Sequence, residues 1–374
     1  MIYLDNAATT KVLPEIVEYT SKFLADEYFN PSSVYEKAVN VRKEIETYRK
    51  SILSRLFASN HDLVFTSGAT EANNLVFNSV SLRAGDKIII SAAEHPSVYN
   101  TANCYKNKGV QVEVVNLTPT GEVDVNHFKS LMDKDVKLVS IMMVSNETGV
   151  INDIKRLCAI AKGINPKVLF ACDGVQAFGK IDVLLDDLDI DFFVLSAHKI
   201  HGPKGIGALV YRKDLKIVPM MIGGGQESGL RSGTENVFGI MGLYLAVNCA
   251  YRRLNINYDK VLEIKNKIID KLINSNVDII INGEKTSPYI LSISVPGIRG
   301  EVLLHMLEED DILISTGSAC SSRHFDNRVL EAMGRTKSEV MGSVRISFNA
   351  YDEIDSNFVA DKLLEKIYLL KEKI

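Results

Sequence analysis

Apolar residues in this chain fall first into short runs and later into longer helical stripes. The runs are LVFTSG (63–68), KIIISAAEH (87–95), VQVEVVN (110–116), LVSIMMVSNE (138–147), KVLFACD (167–173), FFVLSAHK (192–199) and GALVYR (207–212). Several carry consecutive apolar residues, which implies burial on both faces and strands of the parallel type. Amphipathic segments separate them, starting with a helical stretch from Pro14 to Ala25, so residues 14–215 predict an α/β architecture.

The rhythm then changes. One long helical stripe covers Phe238–Asn274, followed by strand-like runs at Asp278–Ile281 and Ile290–Val295. Helical patterns follow near Glu301–Glu309, Val329–Met333 and Ile354–Lys373, predicting a second unit that mixes helix and strand.

Length and charge narrow the classes. The 374 residues, 46% of them hydrophobic, suffice for a two-domain enzyme. A net charge of −4 offers neither a nucleic-acid footprint nor a polybasic membrane segment. The opening MIYLDNAATT lacks the basic and apolar segments of a signal peptide, and no apolar stretch approaches the ~18 residues of a membrane span. A cytoplasmic protein is expected. The five cysteines, at 104, 158, 172, 249 and 320, contain no CxxC pair or metal-ligand spacing, so neither a disulfide framework nor a metal site is expected.

Polar residues gather where the apolar runs end: Thr66 and Ser67, Glu94 and His95, Asn146 and Glu147, Asp173, then Ser196, His198 and Lys199. Open α/β sheets bind ligands outside the carboxyl ends of their strands, so these residues are expected around one crevice.

Within that set, Lys199 sits on a turn punctuated by Gly202, Pro203 and Gly205, where a desolvated lysine can form a Schiff base with an aldehyde cofactor. A lone strand-end lysine would ordinarily be a surface residue. Asp173 ends its own run, with Gln176 three residues on; an aspartate against a pyridine nitrogen makes pyridoxal phosphate an electron sink, although such an aspartate is also a common helix cap. Ser67 to Glu71, with Ala69 and Thr70, opens a helical stretch whose N–H groups suit a phosphate or a simple cap. His95 is placed for ring stacking and proton exchange, or for a structural hydrogen bond.

The stretch Gly223–Thr234, rich in glycine and carrying Arg231, Ser232 and Thr234, suits an anion or a mobile lid. Cys320, inside Ser315–Ser322, is surrounded by small polar residues and reads as the reactive thiol. The other four cysteines read as small packed hydrophobes. Arg345, on the alternating run 343–347, is either a bidentate carboxylate clamp or an exposed strand arginine.

Taken together, Tyr3–Thr10, Asn30–Ser33, Thr66–Asn74, Glu94–His95, Ser145–Gly149, Asp173–Gln176, Ser196–Gly205, Gly223–Thr234 and Gly317–Ser322 resemble the cysteine desulfurases, in the class V aminotransferase group of fold type I pyridoxal-phosphate enzymes. The resemblance implies a large domain, 14–255, with a mostly parallel seven-stranded sheet, and a smaller α+β domain of 1–13 and 256–374 bearing the catalytic cysteine loop. It implies Lys199 as the Schiff-base lysine, His95 stacked on the ring, Asp173 on the pyridine nitrogen and Gln176 on the phenolic oxygen. Ala69, Thr70, Ser196 and His198 would hold the phosphate, Thr234 that of a neighbouring subunit in a homodimer, and Asn146 and Arg345 the carboxylate of L-cysteine.

On that reading Cys320 receives the sulfur as a persulfide, for an acceptor protein such as an iron–sulfur scaffold or a tRNA-thiolation enzyme, with no direct nucleic-acid contact. The competing readings are a selenocysteine or cysteine-sulfinate lyase on the same scaffold, or a catalytically silent binding subunit. The sequence departs from the family at Tyr35, often histidine, at Thr148, often isoleucine, after Cys320, where a usual proline is missing, and at Ser347–Tyr351.

Overall fold

Seven strands and the segments between them build the largest layer of the computed structural model, which describes residues 1–316 and 328–372. A short β1 (Ile2–Tyr3) precedes β2 (His61–Thr66), β3 (Lys87–Ser91), β4 (Gln111–Val115), β5 (Val136–Ser140), β6 (Leu169–Asp173), β7 (Phe192–Ser196) and β8 (Gly207–Arg212). Their order is β2-β8-β7-β6-β5-β3-β4. The pairs from β4 through to β7 are parallel, while β8 runs antiparallel to both β7 and β2. Each expected run became a strand of this sheet.

The unbroken apolar runs have a direct packing cause. Successive side chains of a strand point to opposite faces. Phe193 and Leu195 join one apolar cluster and Phe192 and Val194 another, with helices covering both. Helices Pro14–Ala25, Glu36–Arg55, Ile154–Ile164 and Val237–Arg252 bury residues in the first cluster; Ala69–Ser79 and Pro96–Lys106 do so in the second.

Beyond residue 252 come β9 (Ile280–Ile281), β10 (Ile290–Ser294), β11 (Ile312–Leu313) and β12 (Ser343–Ser347). A three-stranded antiparallel sheet, β12-β10-β9, and a β1-β11 pair share a third cluster with helices Leu254–Ile273, Gly300–Glu308 and Ser356–Lys371. The single stripe expected over 238–274 is in fact two helices, interrupted at Arg253, whose φ of −124° and ψ of 22° are not helical. No Gly or Pro announces that break.

The N-terminal segment stitches the two sheets together. Leu4 pairs with Leu313 and Ser347, and farther along Thr10 N donates to the His198 carbonyl at 2.9 Å. Residues 5–9 thereby run, through a turn at 6–8, from β12 to the segment just after β7. Among the described residues no helix is long and apolar enough to cross a membrane.

Candidate active site

A cavity of about 540 Å³ opens where the strands end. Ser67 reaches it from the turn after β2, Thr70 from the first turn of the helix Ala69–Ser79, His95 from the segment after β3, Asn146 from the segment after β5, Asp173 from β6, Ser196 from the end of β7, and His198 and Lys199 from the turn that follows. Ala7–Thr9 close it from the N-terminal segment and Arg345 from β12. The expected crevice therefore exists. Thr66 is buried, its hydroxyl donating to the Gly68 carbonyl, while Glu94 and Glu147 are buried and absent from the cavity lining.

Lys199 leaves β7 on one tight turn, Ala197–Lys199, closed by Gly202 N donating to the Ala197 carbonyl at 3.0 Å. Its Nζ donates to the carbonyls of Ala7 and Ala8, each at 2.6 Å. These two carbonyl oxygens tether the ammonium at the cavity wall. Next to it, burial and the nearby Lys199, Lys204 and Lys180 push the His198 imidazole down to about 4, so it is neutral at physiological pH. Its Nδ1 lies 3.1 Å from Thr9 Oγ1.

Asp173 and His95 belong to one hydrogen-bonded chain. Asn73 Nδ2 donates to Asp173 Oδ2 and to Ser97 Oγ, both at 2.9 Å. Ser97 Oγ lies 2.8 Å from His95 Nδ1, and Ser97 N donates to that same Nδ1 at 3.1 Å. An Nδ1 that accepts a backbone N–H carries no proton, so the neutral ring bears its hydrogen on Nε2. Burial lowers the His95 pKa, with Lys199 and Arg328 adding to it and Asp173 opposing. Asp173 is 7% exposed, and its other oxygen accepts from Val175 N. Gly174 must lack a side chain here, because a Cβ would meet the Phe193 ring at 1.9 Å and displace the aspartate.

The helix Ala69–Ser79, which carries Asn73, begins without any capping side chain. Its first N–H groups are the natural anchor of an anion, and Thr70, Ser196 and His198 border the same space. Gly207 permits this approach: a Cβ there would lie 2.8 Å from Gly68 Cα. Glu71 does not take part as an open carboxylate. Its burial opposes ionisation, but Arg231 at 2.9 Å and Ser67 hold its pKa below the ordinary value. Arg231 is thus committed to Glu71 rather than to a free anion. A second ion pair, Arg49–Glu227 at 2.8 Å, ties down the same glycine-rich stretch. Thr234 is exposed and outside its own chain's cavity lining.

Arg345 is buried, so the exposed-strand reading does not describe it. Nη1 donates to the Asn146 carbonyl and Nη2 to Asp5 Oδ1, each at 2.8 Å, and among the described residues Nε has no partner. Gln176 donates from Nε2 to the Ala7 carbonyl at 3.0 Å and accepts on Oε1 from Lys180 Nζ at 2.7 Å. Asp5, the Ala7 and Ala8 carbonyls, Asn73 and Lys180 were given no role in the sequence reading. Asp5 to Ala8 and Asn73 do lie inside segments that carried the resemblance. Cys320 lies outside the described residues. Of the other cysteines, Cys158 and Cys172 are buried as expected, whereas Cys104 is exposed because its helix turns that position to solvent.

Residues 2–356 match the family model described as Aminotransferase class-V. A protein named cysteine desulfurase IscS, from Dictyoglomus turgidum (strain DSM 6724 / Z-1310), is 35% identical over 98% of this chain and 94% of its own length. A solved structure named NifS-like protein superposes with a TM-score of 0.90 at 33% identity, covering 100% of both chains. Another, titled SspA in complex with cysteine, has a TM-score of 0.80 at 29% identity over 94% of this chain and 100% of that one. With a cavity of this composition, a sheet of this order and similarity along almost its whole length, the chain belongs to the class-V aminotransferase family, alongside relatives named cysteine desulfurase.

Proposed function

We propose that the chain is a pyridoxal-phosphate-dependent cysteine desulfurase. The observation that carries this reading is the convergence of Lys199, Asp173, His95, an uncapped helix N-terminus and Arg345 on one cavity. That donor set fits the cofactor at both ends: an anion site at the start of Ala69–Ser79, and a buried carboxylate, Asp173, lining the same cavity. Thr70, Ser196, His198 and the Ala69 backbone would hold the phosphate, Asp173 the pyridine nitrogen and Lys199 the aldehyde carbon. When bound, the cofactor draws electron density away from the α-carbon of an amino acid.

The remaining work falls to the chain. Arg345 and Asn146 orient the carboxylate of L-cysteine. Lys199 moves the α-proton, and neutral His95, protonated on Nε2, is placed to shuttle a thiol proton. In the net reaction the Cβ–S bond of cysteine breaks, an S–S bond forms at Cys320, and Cβ takes up hydrogen to give alanine. Atoms and electrons balance with no external reductant, since cysteine and a thiol become alanine and a persulfide.

The seven-stranded sheet with two apolar clusters and the three-stranded sheet with the third support a division into a cofactor domain of 14–255 and a small domain of 1–13 and 256–374, with Val329, Leu330, Met333 and Val340 of the latter packed into the large sheet's first cluster. Exposure of Thr234 suits service to a neighbouring subunit in a homodimer. Four unpaired cysteines among the described residues suit a reducing, cytoplasmic compartment, where a sulfur-acceptor protein, an iron–sulfur scaffold or tRNA-thiolation enzyme, would discharge the persulfide. Incubation with L-cysteine followed by mass spectrometry tests the proposal: the Cys320 peptide should gain one sulfur as alanine appears. Alanine and sulfide without that mass gain, or faster turnover of selenocysteine, would favour a lyase. A purified chain that retains no cofactor would favour a silent subunit.

A further inference from the structure

Lys180 takes no part in the chemistry above, yet it is buried, at 5% exposure. Burying an ammonium is costly unless it is partnered. Its Nζ donates to Gln176 Oε1 at 2.7 Å and stands 5.7 Å from the centre of the Tyr289 ring. The charges acting on it are those of Lys199 and Arg345, which add to burial and bring it down to about 7. The imidazoles of His198 and His201 lie within its influence as well. Among the described residues no carboxylate is one of these groups, and no ion pair there accounts for the lysine.

Gln176 supplies the explanation. Its Nε2 donates to the Ala7 carbonyl, the same oxygen that accepts from Lys199 Nζ at 2.6 Å. With a donor against Oε1 and an acceptor against Nε2, the amide has one satisfied orientation. Its second Nε2 hydrogen remains for a group in the cavity that Gln176 lines. We propose that Lys180 is a positioning residue that fixes Gln176 as a donor to the phenolic oxygen of pyridoxal phosphate. Remove the amine, and the buried Oε1 loses its donor; the amide can then turn and present an acceptor to an anionic oxygen. This inference rests on the proposed function.

The test uses the full chain with pyridoxal 5′-phosphate in four forms: wild type, Lys180→Met, Gln176→Ala and the double variant. Each single change should raise the cofactor dissociation constant about tenfold, the scale of one hydrogen bond to a charged group. The double variant should be no worse than either single one, because both remove the same contact. The pH midpoint of the bound cofactor's visible absorbance should move upward in all three variants, since an oxygen that loses a donor holds its proton more tightly. A merely structural lysine would leave that midpoint in place. Lys180→Leu replaces Lys180→Met should the latter not fold. A wild-type midpoint and affinity in Lys180→Met, or effects that add in the double variant, would overturn the inference and leave the proposed function intact. A wild type that binds no cofactor would overturn both.

Discussion

Arg345 and Asp5, 340 residues apart in the chain, are joined by a 2.8 Å hydrogen bond from Nη2 to Oδ1. The guanidinium is 3% exposed and the carboxylate 18%, so the pair is largely desolvated. It exists because the segment after β1 meets β12, with Asp5 bridged to Ser347. Arg345→Lys keeps a charge but loses the planar fork. The cysteine KM should rise about tenfold while cofactor affinity stays within twofold, roughly one charge-assisted hydrogen bond lost at the substrate end. Unchanged cysteine kinetics would take Arg345 out of the site. Asp5→Ala leaves the arginine buried without its counter-ion and should cost about 3 kcal/mol in denaturant melts.

Lys199→Ala removes the amine tethered to Ala7 and Ala8. The variant should fold, with a melting temperature near that of the wild type, but lack the visible absorbance of a lysine-bound aldehyde cofactor. A retained band would assign the covalent attachment to another lysine.

Among the described residues Asn73 links Asp173 to Ser97, which in turn sets the tautomer of His95. Asn73→Leu is close in volume and has no donor, so Asp173 Oδ2 loses its bond inside the protein. Cofactor affinity should fall about tenfold or more, while the Ser97 backbone N–H still holds the tautomer of His95. Unchanged cofactor affinity would reduce Asn73 to a packing residue.

Glu94 gives the fold a pH dependence of known sign. Burial pushes its carboxyl from 4.5 up to about 8, against the opposing bonds from Ser91 and Met142 N. The folded state therefore holds a proton that the unfolded chain releases, and its contribution to stability is full below pH 4.5 and lost as pH rises through 8. Glu94→Gln keeps the acceptor and cannot ionise. Its stability relative to wild type should increase steadily between pH 4.5 and 8 in urea titrations; a flat or falling difference would mean that the carboxyl ionises normally.

Cys320→Ser should bind cofactor and cysteine yet form no persulfide. In the wild type, persulfide formation should weaken as pH falls through the pKa of that thiol, because the thiolate is the attacking form. Undiminished alanine and sulfide production by Cys320→Ser would end its assignment as sulfur acceptor.

The local half of this protein was legible in its sequence. Consecutive apolar residues in Phe192–Ser196 demand burial on both faces, and a polar cluster at the strand end demands a turn, so Asp173, His95 and Lys199 could be named from residues beside them. Helix phase and breaks were less secure: Cys104 turned outward, and the stripe after 237 split at Arg253 where no Gly or Pro marks it. What only tertiary structure decided was partnership. The Ala7 carbonyl reaches Lys199 across 192 residues, and Asn73 reaches Asp173 across 100. Such contacts leave no periodicity, because one polar residue satisfies another only after strand order and chain closure bring them within hydrogen-bond distance. Hydrophobic pattern is imposed position by position along the chain, whereas the pairing of Gln176 with Ala7, or of Asp5 with Arg345, follows from how the elements pack.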